Sequence, residues 1–352
     1  MHLLQKHITS SIIKKSITAL ICTTFLCIHI NAQDLNFSQY FNSPLLTNPA
    51  NTGFAPDFDF RGGINYRNKW GVAQSNPYKT MSAWGDAQLL GDKLLNGWVG
   101  IGGSLLTDIA GAGNLRSTKG YLSLAYHQVL SDNSLLSGGF GVGMVQKRVD
   151  FTKLTFDNQW NGSFFDIAIP NGETFATNAV NYLDLSIGLN YAWFASDNFY
   201  LNLGVSLQHF NRPRESFFAS SNDARVAQRS NAFVNASIKL NDFWILNPNL
   251  YYSNMAKTTE LVGGLRAFRN LSGDGMQQLI LGLYYRNGDA AIPMVGYQAG
   301  NMQLLVNYDA TINSASSFNQ TRGAYELSII FNGLYKNNSK NLDALRCSAP
   351  KF

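Results

Sequence analysis

The sequence predicts an all-β chain that closes into a transmembrane antiparallel β-barrel of about 14 strands, with short periplasmic turns and longer extracellular loops. Three observations carry the prediction. The chain opens with a leader of secretory type, its body alternates with period two in segments long enough to cross a bilayer, and the connections between segments are short at one end and long at the other. Composition sets the outer limits. Charged residues are 14% of 352, aromatics 13%, and the mean hydropathy is −0.11, a balance too apolar for disorder and too polar for a helical membrane protein.

Residues 1–32 read as a signal peptide: a basic stretch ending at Lys14 and Lys15, an apolar core from Ile17 to Ile30, and cleavage between Ala32 and Gln33. The core is too short to span a bilayer as a helix, which needs about 20 residues. Cys22 and Cys27 follow Ile21 and Leu26 rather than small residues, which argues against lipidation. Once the leader is removed, Cys347, His127 and His209 are the remaining cysteine and histidines, too few for an intrachain disulfide framework and poor material for a zinc site. Basic and acidic residues then nearly balance, so no phosphate-tracking stripe for nucleic acid exists.

Residues 33–57 form an expected periplasmic N-terminal segment. It is rich in Asn and Pro but carries Phe37, Tyr40, Phe41, Leu45 and Leu46, and so should pack either on its own barrel or on a partner. Phe37, Tyr40, Asn48 and Pro49 are its candidate partner contacts.

The barrel is expected over residues 58–332. Alternating segments run at about 58–67, 80–90, 96–107, 117–130, 135–149, 180–194, 198–210, 230–241, 243–254, 258–268, 277–286, 291–299, 301–310 and 322–332. Each is near the roughly 9–11 residues that a tilted strand needs to cross a bilayer. In one of them Leu183, Leu185, Ile187, Leu189, Tyr191 and Trp193 share a face opposite Asp184, Ser186, Gly188, Asn190 and Ala192. A soluble sandwich would carry the same alternation with its apolar face inward. The connections favour the barrel: 68–79, 108–116, 150–179, 211–229 and 311–321 are long, whereas 91–95, 131–134, 195–197 and the Asn241-Asp242 pair are short. Tyr191, Trp193, Phe194, Phe199, Tyr200, Phe243 and Trp244 cluster at turns, as an interfacial girdle would. Residues 333–352 are an expected periplasmic tail containing Cys347, a further candidate contact.

Few residues suggest chemistry. Gly100-Ile101-Gly102-Gly103 and Gly138-Gly139-Phe140-Gly141-Val142-Gly143 lack the dinucleotide fingerprint and a P-loop lysine, and read as relief of crowding in a barrel wall. His127 and His209 end strands, with no nucleophile elbow to flag a serine for a hydrolase. The 211–229 loop carries Arg212, Arg214, Arg225 and Arg229, and Arg212 and Arg214 are its candidate contacts for lipid phosphates or an acidic protein surface. No catalytic residue, metal or cofactor is assigned.

Particular strings then point further. Phe37-Ser38-Gln39-Tyr40-Phe41-Asn42, Asn48-Pro49-Ala50-Asn51-Thr52-Gly53 and Asn65-Tyr66-Arg67-Asn68-Lys69-Trp70 stand in order after the leader. Ala112-Gly113-Asn114-Leu115, residues 149–156, His209-Phe210-Asn211-Arg212-Pro213, residues 285–290, Tyr308-Asp309 and the closing residues 347–352 follow. Together they resemble the PorP/SprF family of Bacteroidota over essentially the whole mature chain, with departures at Asn51 and at Ser348-Ala349. The resemblance implies an integral outer-membrane component of the type IX secretion system, linked in some members to gliding motility, which assists secretion or surface attachment of large adhesins with a C-terminal sorting domain. It implies secretion machinery and periplasmic lipoprotein components as partners, besides outer-membrane lipid. It implies no catalytic residues. The competing reading from the barrel alone is a porin or small-solute outer-membrane transporter.

Overall fold

The computed structural model describes residues 37–55, 58–70, 77–91, 93–94, 96–173, 175–218, 224–313, 316, 322–335 and 350–352. The expected cleavage site at Ala32 and Gln33, and Cys347, lie outside them. Among the described residues fourteen strands form one closed antiparallel barrel. They are β1 (Phe60–Lys69), β2 (Tyr78–Leu89), β3 (Gly97–Ala110), β4 (Leu115–Ser131), β5 (Ser134–Arg148), β6 (Ala179–Ser196) and β7 (Phe199–Gln208), then β8 (Arg229–Asn241), β9 (Trp244–Met255), β10 (Thr258–Asn270), β11 (Gln277–Arg286), β12 (Ala290–Ala299), β13 (Met302–Thr311) and β14 (Ala324–Gly333).

Each strand pairs with its sequence neighbours, and β1 closes on β14 from Phe60↔Gly333 to Lys69↔Ala324. Closure leaves no edge, so every strand has a hydrogen-bonding partner on both sides. An even strand number returns both described ends of the barrel to one rim, the periplasmic one. The tight turns Asp132-Asn133, Asp197-Asn198, Asp242-Phe243 and Gly300-Asn301 lie there, with residues 90–96 and 271–276. Register shifts at Val129/Ser131, Phe194/Ser196 and Lys239/Asn241 each set one extra residue just before three of these turns, a bulge that fits the turn to the twist of its strands. Pro350 to Phe352 reach the same rim, where Phe352 lies beside Gly275.

The opposite, extracellular rim is uneven. Residues 149–178, 209–228 and 312–323 are long connections, whereas 111–114, Ala256-Lys257 and 287–289 are short. The expected loop at 108–116 is mostly strand, because Asp108↔Ser117 and Ala110↔Leu115 pair and extend the hairpin beyond the bilayer span. With 17 residues in β4 and 18 in β6, this part of the sheet rises above the rest.

The alternation sorts the faces as a membrane requires. Leu183, Ile187, Leu189, Tyr191 and Trp193 point outward, and Tyr182, Asp184, Ser186, Asn190, Ala192 and Phe194 point inward. Phe194 and Tyr200 therefore leave the expected girdle. They meet inside the lumen as a tilted pair, 4.9 Å between ring centroids, one residue out of phase with Trp193 and Phe199, which stay outside. The lower girdle is completed by Phe243 and Trp244, over which the Arg269 guanidinium lies at 5.1 Å from each ring.

Because Leu189 faces lipid near mid-wall, Leu189→Arg is expected to cost about 2–4 kcal/mol of folding free energy in bilayers. The check is urea unfolding of the refolded barrel in lipid vesicles.

Candidate functional site

The lumen is occupied by the chain's own N-terminal segment. Residues 37–55 run through it from the extracellular half to the periplasmic rim before entering β1, making two 3-10 turns (Tyr40–Asn42 and Pro49–Asn51) and one helical turn, α1 (Pro44–Thr47). Pro44 and Pro49 each open a turn, where a missing N–H costs nothing and the fixed φ is favourable. Such short turns leave most carbonyls unpaired within the segment, and the wall supplies the donors.

At the extracellular end the anchor is ionic. Arg67 of β1 meets Asp309 of β13 at 2.8 Å and Glu326 of β14 at 3.1 Å. Arg286 of β11 meets Asp309 at 3.2 Å, Asp289 at 3.0 Å and Glu260 at 3.1 Å. Ser38 sits at their centre. Its hydroxyl donates to Asp309 at 2.6 Å and accepts from Arg67 and Arg286, while the N–H groups of Ser38 and Gln39 donate to Glu326 at 3.0 and 3.1 Å. Glu326 is fully buried, and such charges persist only when paired and hydrogen-bonded as they are here.

Below this, Tyr40 stacks on Tyr251 at 4.6 Å and donates its hydroxyl to Asn235 at 3.0 Å. Asn48 does two tasks at once. Its Oδ1 accepts from the Ala50 N–H at 2.9 Å, capping the second 3-10 turn, and its Nδ2 donates to the Leu189 and Val205 carbonyls at 2.9 and 3.2 Å. Gly188 and Gly204 make the notch it enters, since a Cβ at Gly188 would overlap the Asn48 amide. The segment's carbonyls meet Asn65 and Trp84 at Asn42, Gln208 at Leu46, and Ser206 and Asn231 at Thr47.

At the periplasmic end the Thr52 carbonyl lies 2.8 Å from His127 Nε2, and Trp98 donates to the Gly53 carbonyl at 3.0 Å. Gly53 adopts φ +66°, and its N–H donates to Asp86 at 2.7 Å. A Cβ at Gly100 would overlap the Thr52 carbonyl, and one at Gly139 the Pro49-Ala50 peptide. The glycine-rich strand segments are therefore the bed of the plug, a more specific role than relief of crowding in the wall.

Phe37, Tyr40, Asn48 and Pro49 are thus buried inside the barrel and brought together by it, against the chain's own wall, which is one of the two placements the sequence left open for this segment, the other being a partner. Arg212 and Arg214 are exposed on the 209–228 connection, far along the chain from that set, and Arg225 donates to the Arg212 carbonyl at 3.2 Å. Arg229 instead turns into the lumen and donates to Ser253 and Tyr251. Glu215 ties the connection to the wall through Lys147 and Tyr182, both at 2.7 Å, and Phe175 and Phe218 bridge it to the 149–178 connection.

The histidines hold structure. His127 lies 2.7 Å from the Ser137 hydroxyl, but its other nitrogen faces the plug carbonyl and its ring stacks on Trp98. His209 Nδ1 lies 2.8 Å from Asp184, which also accepts from Tyr121 at 2.6 Å. No group of three metal-ligating side chains occurs among the described residues. Sequence reasoning missed Ser38, Arg67, Glu326 and Asp309 as a unit. Inward-facing charges on transmembrane strands were the available signal.

Over residues 30–331 the sequence matches the family described as Type IX secretion system membrane protein PorP/SprF. No curated protein matches it. Among solved structures, the toluene transporter TodX of Pseudomonas putida shares 10% identity over 84% of this chain and 94% of its own, with a TM-score of 0.52. The toluene transporter TbuX of Ralstonia pickettii shares 9% over the same fractions, with a TM-score of 0.48.

Glu326→Ala leaves Arg67 and two plug N–H groups short of an acceptor and is expected to destabilise the barrel by about 3–5 kcal/mol, read from the urea midpoint. Gly188→Val fills the Asn48 notch without touching the ion cluster. It is expected to unseat the plug, raising single-channel conductance in planar bilayers and protease cleavage within residues 37–55, with the barrel itself retained.

Proposed function

The chain belongs to the PorP/SprF family of type IX secretion system membrane proteins, and we propose that it serves the export or surface attachment of a large adhesin carrying a C-terminal sorting domain, without catalysing a reaction and without a cofactor. It is an integral barrel of the outer membrane. The observation that most supports the partner role is the plug: residues 37–55 occupy the lumen and hydrogen-bond the wall along its length, from Ser38 with Glu326 through Asn48 with the Leu189 carbonyl to Thr52 with His127. A wall committed to holding its own chain is suited to act as a rigid outer-membrane platform. In this reading the periplasmic rim meets the secretion machinery and its lipoprotein components, the exposed Arg212 and Arg214 loop and its neighbour face the adhesin, and gliding depends on the displayed adhesin.

A second reading, a porin or small-solute transporter, draws on the barrel fold shared with TodX. The two differ in what a deletion does. Comparison of the surface and secreted proteomes of parent and clean deletion strains, with gliding scored alongside, is expected to show selective loss of one large surface adhesin, restored by complementation. Unchanged surface proteins with altered solute uptake, and substantial solute flux through the intact barrel in liposomes, would move the transporter reading to first place.

A further inference from the structure

Beside the plug, in the periplasmic half of the lumen, lies a cavity of about 370 Å³ lined on one side by the plug from Tyr40 and Phe41 to Ala55 and on the other by wall residues that include Trp84, Asn202, Asn249 and Arg266. Its polar groups are incompletely used. Asn249 donates its amide N–H to Tyr284 at 3.0 Å while its Oδ1 is buried without a partner. Asn202 Oδ1 and Arg266 Nε are likewise buried without partners. The Arg266 guanidinium lies over the Phe41 ring, 3.9 Å from its centroid and 5.6 Å from that of Phe268, and it hydrogen-bonds the neutral Tyr284 hydroxyl. Arg61, which lines the same cavity, is engaged by Asp86 at 2.5 Å, whereas no carboxylate among the described residues forms an ion pair with Arg266.

Orphan acceptors call for N–H or O–H donors, and a stacked, partly desolvated guanidinium calls for a carboxylate. We infer that this cavity is a binding site for an acidic polypeptide segment, entering from the periplasmic side, whose carboxylate pairs with Arg266 and whose backbone N–H groups meet Asn202 and Asn249. The choice of a polypeptide over another acid rests on the secretion role proposed above. The carboxylate site rests on the geometry alone. Because Phe41 belongs to the plug, an occupant here touches the element that closes the lumen.

The test uses the full-length barrel in detergent and a fluorescein-labelled pentapeptide ending in Glu with a free C-terminal carboxylate, followed by anisotropy. The expected result is saturable binding that weakens by about tenfold or more in Arg266→Gln, with Arg266→Lys intermediate. The same peptide with Gln and a C-terminal amide is expected to lose affinity equally. Heat-modifiable gel mobility confirms closure of each variant. Should Arg266→Gln fail that check, Asn202→Asp, which adds a negative charge to the same wall, is expected to weaken the acidic peptide and spare the neutral one. Equal binding of acidic and neutral peptides, unchanged affinity in the variants, or no peptide binding overturns the inference. Binding of an oligogalacturonate but no peptide overturns the polypeptide assignment. The measurement is made on isolated barrel, so its failure is distinct from an unchanged surface proteome in the deletion strain.

Discussion

A backbone N–H or C=O left unpaired against hydrocarbon costs several kcal/mol, and the β1–β14 pairing is where this chain meets that demand. The even strand number and the single rim for both barrel ends follow from it. So does the inversion of the faces. With lipid outside, Leu183, Leu189 and Trp193 occupy the outer surface and the interior becomes the one place where Arg67, Asp184 and Glu326 can sit. The polar lumen is in turn what admits the plug, since irregular backbone at membrane depth is tolerated only where something supplies its hydrogen bonds.

Plug and wall are complementary along their length, but not by one kind of force. At the extracellular half the attachment is an ion network centred on Ser38, strong only while every charge keeps a partner. At mid-wall it is shape: glycines on β5, β6 and β7 let Asn48 and Pro49 approach the sheet backbone, and the Asn48 amide bonds wall carbonyls there. At the periplasmic end neutral donors, Trp98 and His127, close on the Gly53 and Thr52 carbonyls. The cavity around Arg266 lies where this complementarity stops, and there alone along the plug a stacked cation meets no carboxylate among the described residues.

Most of the barrel was legible because period-two alternation is a local property, repeated often enough to be counted. Leu183 to Trp193 reads as a strand without knowledge of any other segment, and the order of long and short connections reads as topology. Phe194 and Tyr200 were misplaced for a definite reason: each continues the inward face of its own strand, Phe194 that of Ala192 and Tyr200 that of Asn202, whereas clustering of aromatics at a turn says nothing about which face each one takes. Asp108 to Arg116 was read as loop because Gly111, Gly113 and Asn114 signal a turn, while the pairing of the residues that flank it is not visible along the chain.

The sequence by itself determined the strand count, the outward face of each strand, the resemblance to a family and the presence of an aromatic, Asn- and Pro-rich segment that must pack somewhere. Only the tertiary structure decided that the segment packs inside, that Gly100, Gly139, Gly188 and Gly204 are its bed, and that Arg67, Arg286, Asp309 and Glu326 meet over Ser38. The reason is sequence distance. Ser38 and Glu326 lie 288 positions apart, and no periodicity along a chain records which residues meet across a lumen once the barrel has closed.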